Sequence, residues 1–224
     1  VPIQSKFIRE HSLLPFFMLK TCINKSMNPF KYYGGQISEE NISPRSADSR
    51  KWFLDKIRSI SEKNIDQDNL MKQPPLVGTG NPLSGKMYMF WYDPKMKKEL
   101  PYYDAFPLVI LLDIGNDHMT GLNLHYLPIG LRQNLFYGLL NRVSSSKFNS
   151  STFMKITYDH LNASSNLEAF RPCFKKYLTK QIKGRIVNVP AQEWEIAVHL
   201  PTSSFRKKDA GYVYSQSRKQ IRNF

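Results

Sequence analysis

The stretch from 86 to 127, KMYMFWYDPKMKKELPYYDAFPLVILLDIGNDHMTGLNLHYL, carries three apolar runs separated by polar turns. KMYMFWY (86–92) is dense in aromatics, FPLVILLDI (106–114) is almost continuously apolar, and GLNLHYL (121–127) is the third. Runs of this length and composition, bounded by turn residues, predict three strands. GNDHMT joins the second to the third, and Gly115 and Asn116 are residue types able to take positive φ, so an antiparallel hairpin is expected. Pro101 to Asp104 then reads as the turn into a core strand and Phe106 to Leu112 as that strand. Stacking of Tyr102 or Tyr103 on nucleic acid is the competing role.

Helices are expected on both sides of this block. GLRQNLFYGLLNRV (130–143) places Leu131, Leu135, Leu139 and Leu140 on one helical face. Phe170, Phe174, Tyr177, Leu178 and Ile182 recur at helical spacing and predict a helix over 166–183. RIVNV follows as a short strand, and Pro190 opens a last short helix, PAQEWEIAVHL. Upstream, Trp52, Phe53, Ile57 and Ile60 lie behind a Ser/Asp-rich start and predict a helix from Ser46 to about Lys63. The first 30 residues read as an extended arm leading into a short apolar helix, NPFKYYGG (28–35) as a turn-rich patch, and QISEENISPRSAD as a flexible polar segment. PPLVGTGNPLSG, with its dense Pro and Gly, reads as a linker or exposed loop without regular structure. The tail after 201 has no sustained apolar period and is expected to be ordered only by contact with something else. The expected class is α+β: a small antiparallel, barrel-like sheet with packed helices and basic, extended terminal arms. Its expected divisions are an N-terminal arm and helical region with linker (1–84), an α+β core (85–201) and a basic tail (202–224).

Charge narrows the function. The 224 residues carry a formal net charge of +14 and a sequence pI near 9.7, an imbalance usually offset by a polyanionic partner. No apolar run approaches the roughly 18 residues of a spanning helix, so nucleic acid is favoured and no membrane is expected. LLPFFML (13–19) is short, holds Pro15 and lacks a small-residue cleavage site, which argues against a signal peptide. Between 171 and 224, twelve Lys/Arg face three acids, so +9 of the +14 lies in about a quarter of the chain. The candidate DNA-binding residues are Lys175, Lys176, Lys180, Lys183, Arg185, Arg206, Lys207, Lys208, Arg218, Lys219 and Arg222. Within the expected helix, Lys176, Lys180 and Lys183 fall on one face, a stripe suited to phosphates. A solvated helix face is the bland alternative. Base-reading motifs are absent, so recognition of backbone and shape is expected.

Chemistry is weakly signalled. GNPLSGK (80–86) matches the start of a phosphate-binding loop, but Met87 stands where a hydroxyl is needed and a strand follows where a helix should. Asp93, Glu99, Asp104 and Asp113 with nearby lysines invite a metal-nuclease reading, but their spacing fits turns and strand ends better. No two of the five histidines are three or four residues apart. Cys22 and Cys173 show no metal or disulfide pattern, which fits a reducing compartment. No cofactor, metal or catalytic residue is expected.

YDPKMKKELPYYDAFPLVILLDIGNDHMTGLNLHYLP, a leucine-rich helix, FRPCFKKYL, EWEIAVHLP and a tail ending SRKQIRNF together resemble the DNA end protector (head-completion) proteins of T-even-like tailed bacteriophages. The resemblance covers roughly 85–224. It implies a virion protein of the head or neck that binds the ends of packaged double-stranded DNA, enters the host cytoplasm with it and shields it from host exonuclease. It supplies no catalytic residues, and EWEIAVHLP reads as fold-defining. The rivals are a structural connector meeting portal, neck or baseplate proteins, and a metal-dependent nuclease or packaging factor.

Overall fold

The computed structural model describes residues 28–57, 65–143 and 170–222. Expectations about the first 27 residues, Ile60 and 166–169 lie outside it, as do those resting on the side chains of Ile57, Leu139, Leu140 and Arg222. The fold is α+β. Helices α1 (Pro29–Glu39), α2 (Ala47–Ile57) and α3 (Gln67–Leu70) precede strands β1 (Val77–Thr79), β2 (Met87–Tyr92), β3 (Tyr103–Asp104), β4 (Leu108–Ile114) and β5 (His118–Asn123). A 3-10 turn at Leu124–Tyr126, α4 (Ile129–Val143), β6 (Phe174–Leu178), β7 (Ile182–Val189), α5 (Trp194–His199), β8 (Phe205–Arg206) and α6 (Ala210–Arg222) complete the order.

Six strands form one antiparallel sheet in the order β1-β7-β2-β4-β5-β6, and β3 pairs with β8 separately. Leu178 and Ile182, the facing ends of β6 and β7, are four residues apart, a reach of about 14 Å. Across a flat sheet the four strand spacings from β7 to β6 would measure about 19 Å. The sheet must therefore curl, and register shifts at Met89/Trp91 and Leu111/Asp113 supply local kinks. No ladder joins β6 to β7, so the expected barrel is an open, curled sheet.

Curling gives the sheet two buried faces. Met87, Met89, Leu108, Ile110, Leu122, Val187 and Val189 pack outward into the cluster shared with the helices. Tyr88, Phe90, Val109, Leu111, Met119 and Tyr177 fill the concave side. Burial on both faces explains why FPLVILLDI reads as a continuous apolar run without alternation. The hairpin of β4 and β5 forms as expected, but neither Gly115 nor Asn116 has positive φ. Instead the Gly115 N–H bonds the His118 carbonyl, and a Cβ on Gly115 would come within 2.6 Å of the His118 ring.

Several segments depart from expectation. NPFKYYGG opens helix α1: the Asn28 side chain accepts from the N–H groups of Phe30 and Lys31, and Pro29 takes the first helical position. The helix stops at Asn41, whose φ of 54° lets the Ile42 N–H return to the Ile37 carbonyl. Phe30, Tyr33, Ile37, Trp52 and Phe53 join the same hydrophobic cluster as the sheet, so α1 and α2 share its core. Val77–Thr79, inside the Pro/Gly-rich stretch, is an edge strand on β7. The helix expected over 166–183 is replaced, where described, by β6, a 3-10 turn at Thr179–Gln181 and the start of β7. Lys176, Lys180 and Lys183 therefore share no helix face. The tail forms α6, capped by Asp209 accepting from the Tyr212 N–H at 2.8 Å and buried along Val213 and Ser217.

Candidate nucleic-acid interface

The end of the sheet where β2 runs into the 93–102 loop carries a pocket of about 250 Å³. Tyr92, Tyr102, Tyr103, Tyr126 and Tyr177 line it together with Lys175 and Lys176 of edge strand β6. Tyr92 and Tyr177 meet edge to face at 4.9 Å, and the Tyr92 hydroxyl accepts from the Leu178 N–H. Tyr102 leans on Tyr126 and on Tyr212 of α6. Burial raises the pKa of Tyr92, Tyr102, Tyr126 and Tyr177, so these four phenols are neutral at physiological pH.

Lys175 is the unusual member. Its Nζ lies 4.0 Å from the centroid of the Tyr126 ring, and no carboxylate pairs with it among the described residues. Burial pushes its pKa down, so the ammonium is held in the fold at a cost that an anion would relieve.

Further cations surround the opening, placed there by backbone contacts. The Asp93 N–H bonds the Gln181 carbonyl, and Trp91 pairs with Lys183, which brings Lys180 and Lys183 beside the 93–102 loop. Arg206 pairs with Tyr103 across β3 and β8. Lys207, at φ 69°, donates from Nζ to the carbonyls of Lys98 (2.8 Å) and Leu100 (2.6 Å), so its ammonium fastens the loop. Lys208 lies over Tyr212 at 5.0 Å. Lys95, Lys97 and Lys98 occupy the same loop and are exposed, with Lys97 paired to Asp93 at 2.9 Å. Arg185 sits further along β7 against Gly78, while Arg218 and Lys219 are exposed on α6. The structure thus places Lys175 and Lys176 in the pocket lining, sets Lys180, Lys183, Arg206 and Lys208 on segments that pair with or pack against those bordering it, and leaves Arg185, Arg218 and Lys219 elsewhere on β7 and α6. Sequence reasoning reaches Tyr102 and Tyr103 and reads the 95–98 lysines only as a solvated turn beside acids, but misses Tyr126, which strand pairing and not proximity in the chain brings here.

Asp104, which also lines the pocket, begins a constellation with the spacing of a nucleophilic triad. Asp104 Oδ2 is 2.7 Å from His125 Nδ1, and His125 Nε2 is 3.0 Å from Thr202 Oγ1. His125 and Thr202 are 0% exposed, so no substrate reaches the hydroxyl in this conformation. Asp104 also accepts from the Asn123 amide and the N–H groups of Phe106 and Ser204. Burial alone would raise its pKa, but the neighbouring His125 and these donors hold it below the usual value. Burial lowers the His125 pKa, so the ring is neutral, donates from Nδ1 and accepts from Thr202. The group clasps three separate chain segments.

A second clasp surrounds the EWEIAVHLP segment. Glu195 accepts from the Ser49 hydroxyl at 2.6 Å, the Arg45 N–H at 2.8 Å and the Tyr137 hydroxyl. The six residues of α5 are all buried, as expected of a fold-defining segment. Among the described residues no group of three His, Cys, Asp or Glu is placed to hold a metal ion, and no helix is long and apolar enough to cross a membrane.

Neither a curated protein nor a solved structure matches this chain. A family model does, over residues 27–221, which takes in α1 and α2 as well as the sheet and the tyrosine pocket. That model is the one described as phage T4 terminal DNA protecting protein, and the chain belongs to this family.

Proposed function

We propose that this phage protein binds the ends of packaged double-stranded DNA without sequence preference and shields them from host exonuclease, with no catalysis of its own. The observation that carries the reading is the gathering of exposed cations around the tyrosine pocket at one end of the sheet, in a chain of net charge +14. Lys/Arg contacts to terminal phosphates hold the protein, and its bulk denies the end to a nuclease that must thread it. Lys175, Lys176, Lys180, Lys183, Arg206 and Lys208 form the inner contact set, and Arg185, Arg218, Lys219 and Arg222 extend it along the duplex. The protein travels in the head or neck of the virion and enters the host cytoplasm with the DNA.

The deciding experiment compares binding to linear and covalently closed duplexes of equal length over a range of salt concentrations, with magnesium present and product lengths checked. Preference for the linear form, no cleavage and protection of that form from a processive exonuclease are expected. With roughly 6–10 phosphate contacts, affinity should fall by about three to five decades between 50 and 200 mM salt. Equal binding of the two forms would overturn end recognition and favour a connector that meets DNA or acidic virion proteins at the neck or baseplate.

A further inference from the structure

We infer that the tyrosine pocket accepts a single unpaired base from the DNA terminus, stacked against Tyr102 or Tyr103, with its phosphate between Lys175 and Lys176. The inference rests on the end-binding reading and supplies what that reading lacks, a way to tell an end from the middle of a duplex.

Four observations converge on it. The pocket volume of about 250 Å³ is below the roughly 300–1,000 Å³ typical of pockets for drug-sized ligands, giving room for one base and not for a base pair. Its lining carries the neutral phenol rings of Tyr102 and Tyr126 beside Asp104, whose carboxylate is engaged by buried donors, and aromatic faces bind bases of any identity, which suits sequence-independent recognition. Lys175 offers a partly buried ammonium without a carboxylate among the described residues, and Lys176 an exposed one beside it on an edge strand. The surrounding cations match a strand that continues from the pocket along the surface.

End selectivity then follows from stacking. A base inside a duplex is stacked on both sides and must be swung out to reach a pocket, whereas a terminal base has one stacked neighbour and an unpaired overhang needs no opening. The protein should prefer frayed or overhanging ends to blunt ends, and both to closed duplex.

The test uses the full chain and duplexes closed by a hairpin at one end. The open end is blunt, carries a one-nucleotide overhang, or carries the same overhang with its base removed. The base-bearing overhang should bind about 10- to 100-fold more tightly than the abasic one, the range expected for removal of one stacked base. In Tyr103→Ala that gap should shrink, and Tyr103→Trp should restore it. Lys176→Gln, at an exposed position, should reduce the preference for a phosphorylated terminus. If Tyr103→Ala fails to fold, the comparison of the two overhangs on the unaltered protein decides alone. Equal affinity for base-bearing and abasic overhangs, with linear still preferred over closed duplex, would overturn the pocket assignment and leave end binding intact. Equal affinity for linear and closed duplex would overturn both. Competition by a free deoxynucleoside monophosphate at concentrations matching the DNA would reassign the pocket to mononucleotides.

Discussion

Asp104 and Glu195 are 2% and 3% exposed, and both oxygens of each carboxylate meet at least one donor. Lys175 and Lys176 line a pocket that Asp104 also lines, yet neither forms an ion pair among the described residues, and Lys176 acts on the exposed Asp117 carboxylate only at longer range. Both regions concentrate charge, but one consumes it internally and the other presents it. A buried carboxylate that satisfies several donors holds chain segments together, whereas a cation left unpaired on a surface serves whatever anion arrives. If the proposed DNA contact is right, substitutions of the buried carboxylates and of these lysines should separate stability from binding.

The largest effect is expected where the buried network is broken. Asp104→Ala strands the donors of Asn123, His125, Phe106 and Ser204 and should cost about 3–5 kcal/mol in urea unfolding. If the variant is instead stable and loses a magnesium-dependent cleavage of DNA, Asp104 is a catalytic acid and the division of labour fails.

Next is the pH dependence of the same interior. Burial lowers the His199 pKa from its ordinary 6.5 to about 4, while its Nδ1–H donates to the Glu195 carbonyl at 2.6 Å and its ring stacks on Phe53 at 4.4 Å. The depressed value means that the unfolded chain binds the proton first as pH falls. Stability should therefore be level above about pH 6.5 and decline towards pH 4, by roughly 3 kcal/mol from this residue. His125 acts in the same direction, and Asp104 adds a further decline once the pH drops below the ordinary carboxylate range. His199→Gln should flatten the profile between pH 4 and 6.5; an unchanged slope would mean that His199 is solvated in solution.

A third test moves to the surface. Neutralising Lys176, Lys180 and Lys183 together with Gln should lower the slope of log affinity against log salt by about three units. Stability should shift by no more than about 0.5 kcal/mol per site, because all three are exposed. A melting temperature that collapses while the slope holds would invert the comparison.

The strands of the central block are legible in the sequence because their apolar runs are long and bounded by turn residues. The lysine cluster is legible as composition but not as geometry. Phe170, Phe174, Tyr177 and Leu178 satisfy helical spacing, yet pairing of β6 with β5 overrides it, and the expected stripe is divided between edge strand β6 (Lys176), the 3-10 turn (Lys180) and β7 (Lys183). Helix α1 is hidden by its own cap, since Asn-Pro opens helices as well as turns and Gly34 and Gly35 mask the spacing of Phe30, Tyr33 and Ile37. The α6 stripe, Val213, Ser217 and Ile221, has a polar residue at its centre and shows only faintly as a periodicity. Tyr126 joins the pocket through the 3-10 turn after β5 and the register of β5 with β6, which no local pattern reports.

Lys175→Met gives the smallest effect and the sharpest reading. Methionine keeps much of the apolar stem but removes the charge that burial disfavours. The ring contact with Tyr126 is worth about 0.5–1 kcal/mol when exposed and more when desolvated, which partly offsets that burial cost. Unfolding free energy at pH 7 should therefore change by less than about 1 kcal/mol in either direction. The salt slope of DNA binding should fall by about one unit, because one phosphate fewer is neutralised. A fold that weakens by several kcal/mol with the slope intact would place Lys175 with Asp104 and Glu195 among the charges that hold the chain together. A silent fold with a reduced slope would place it with the lysines that await the DNA, partly buried though it is.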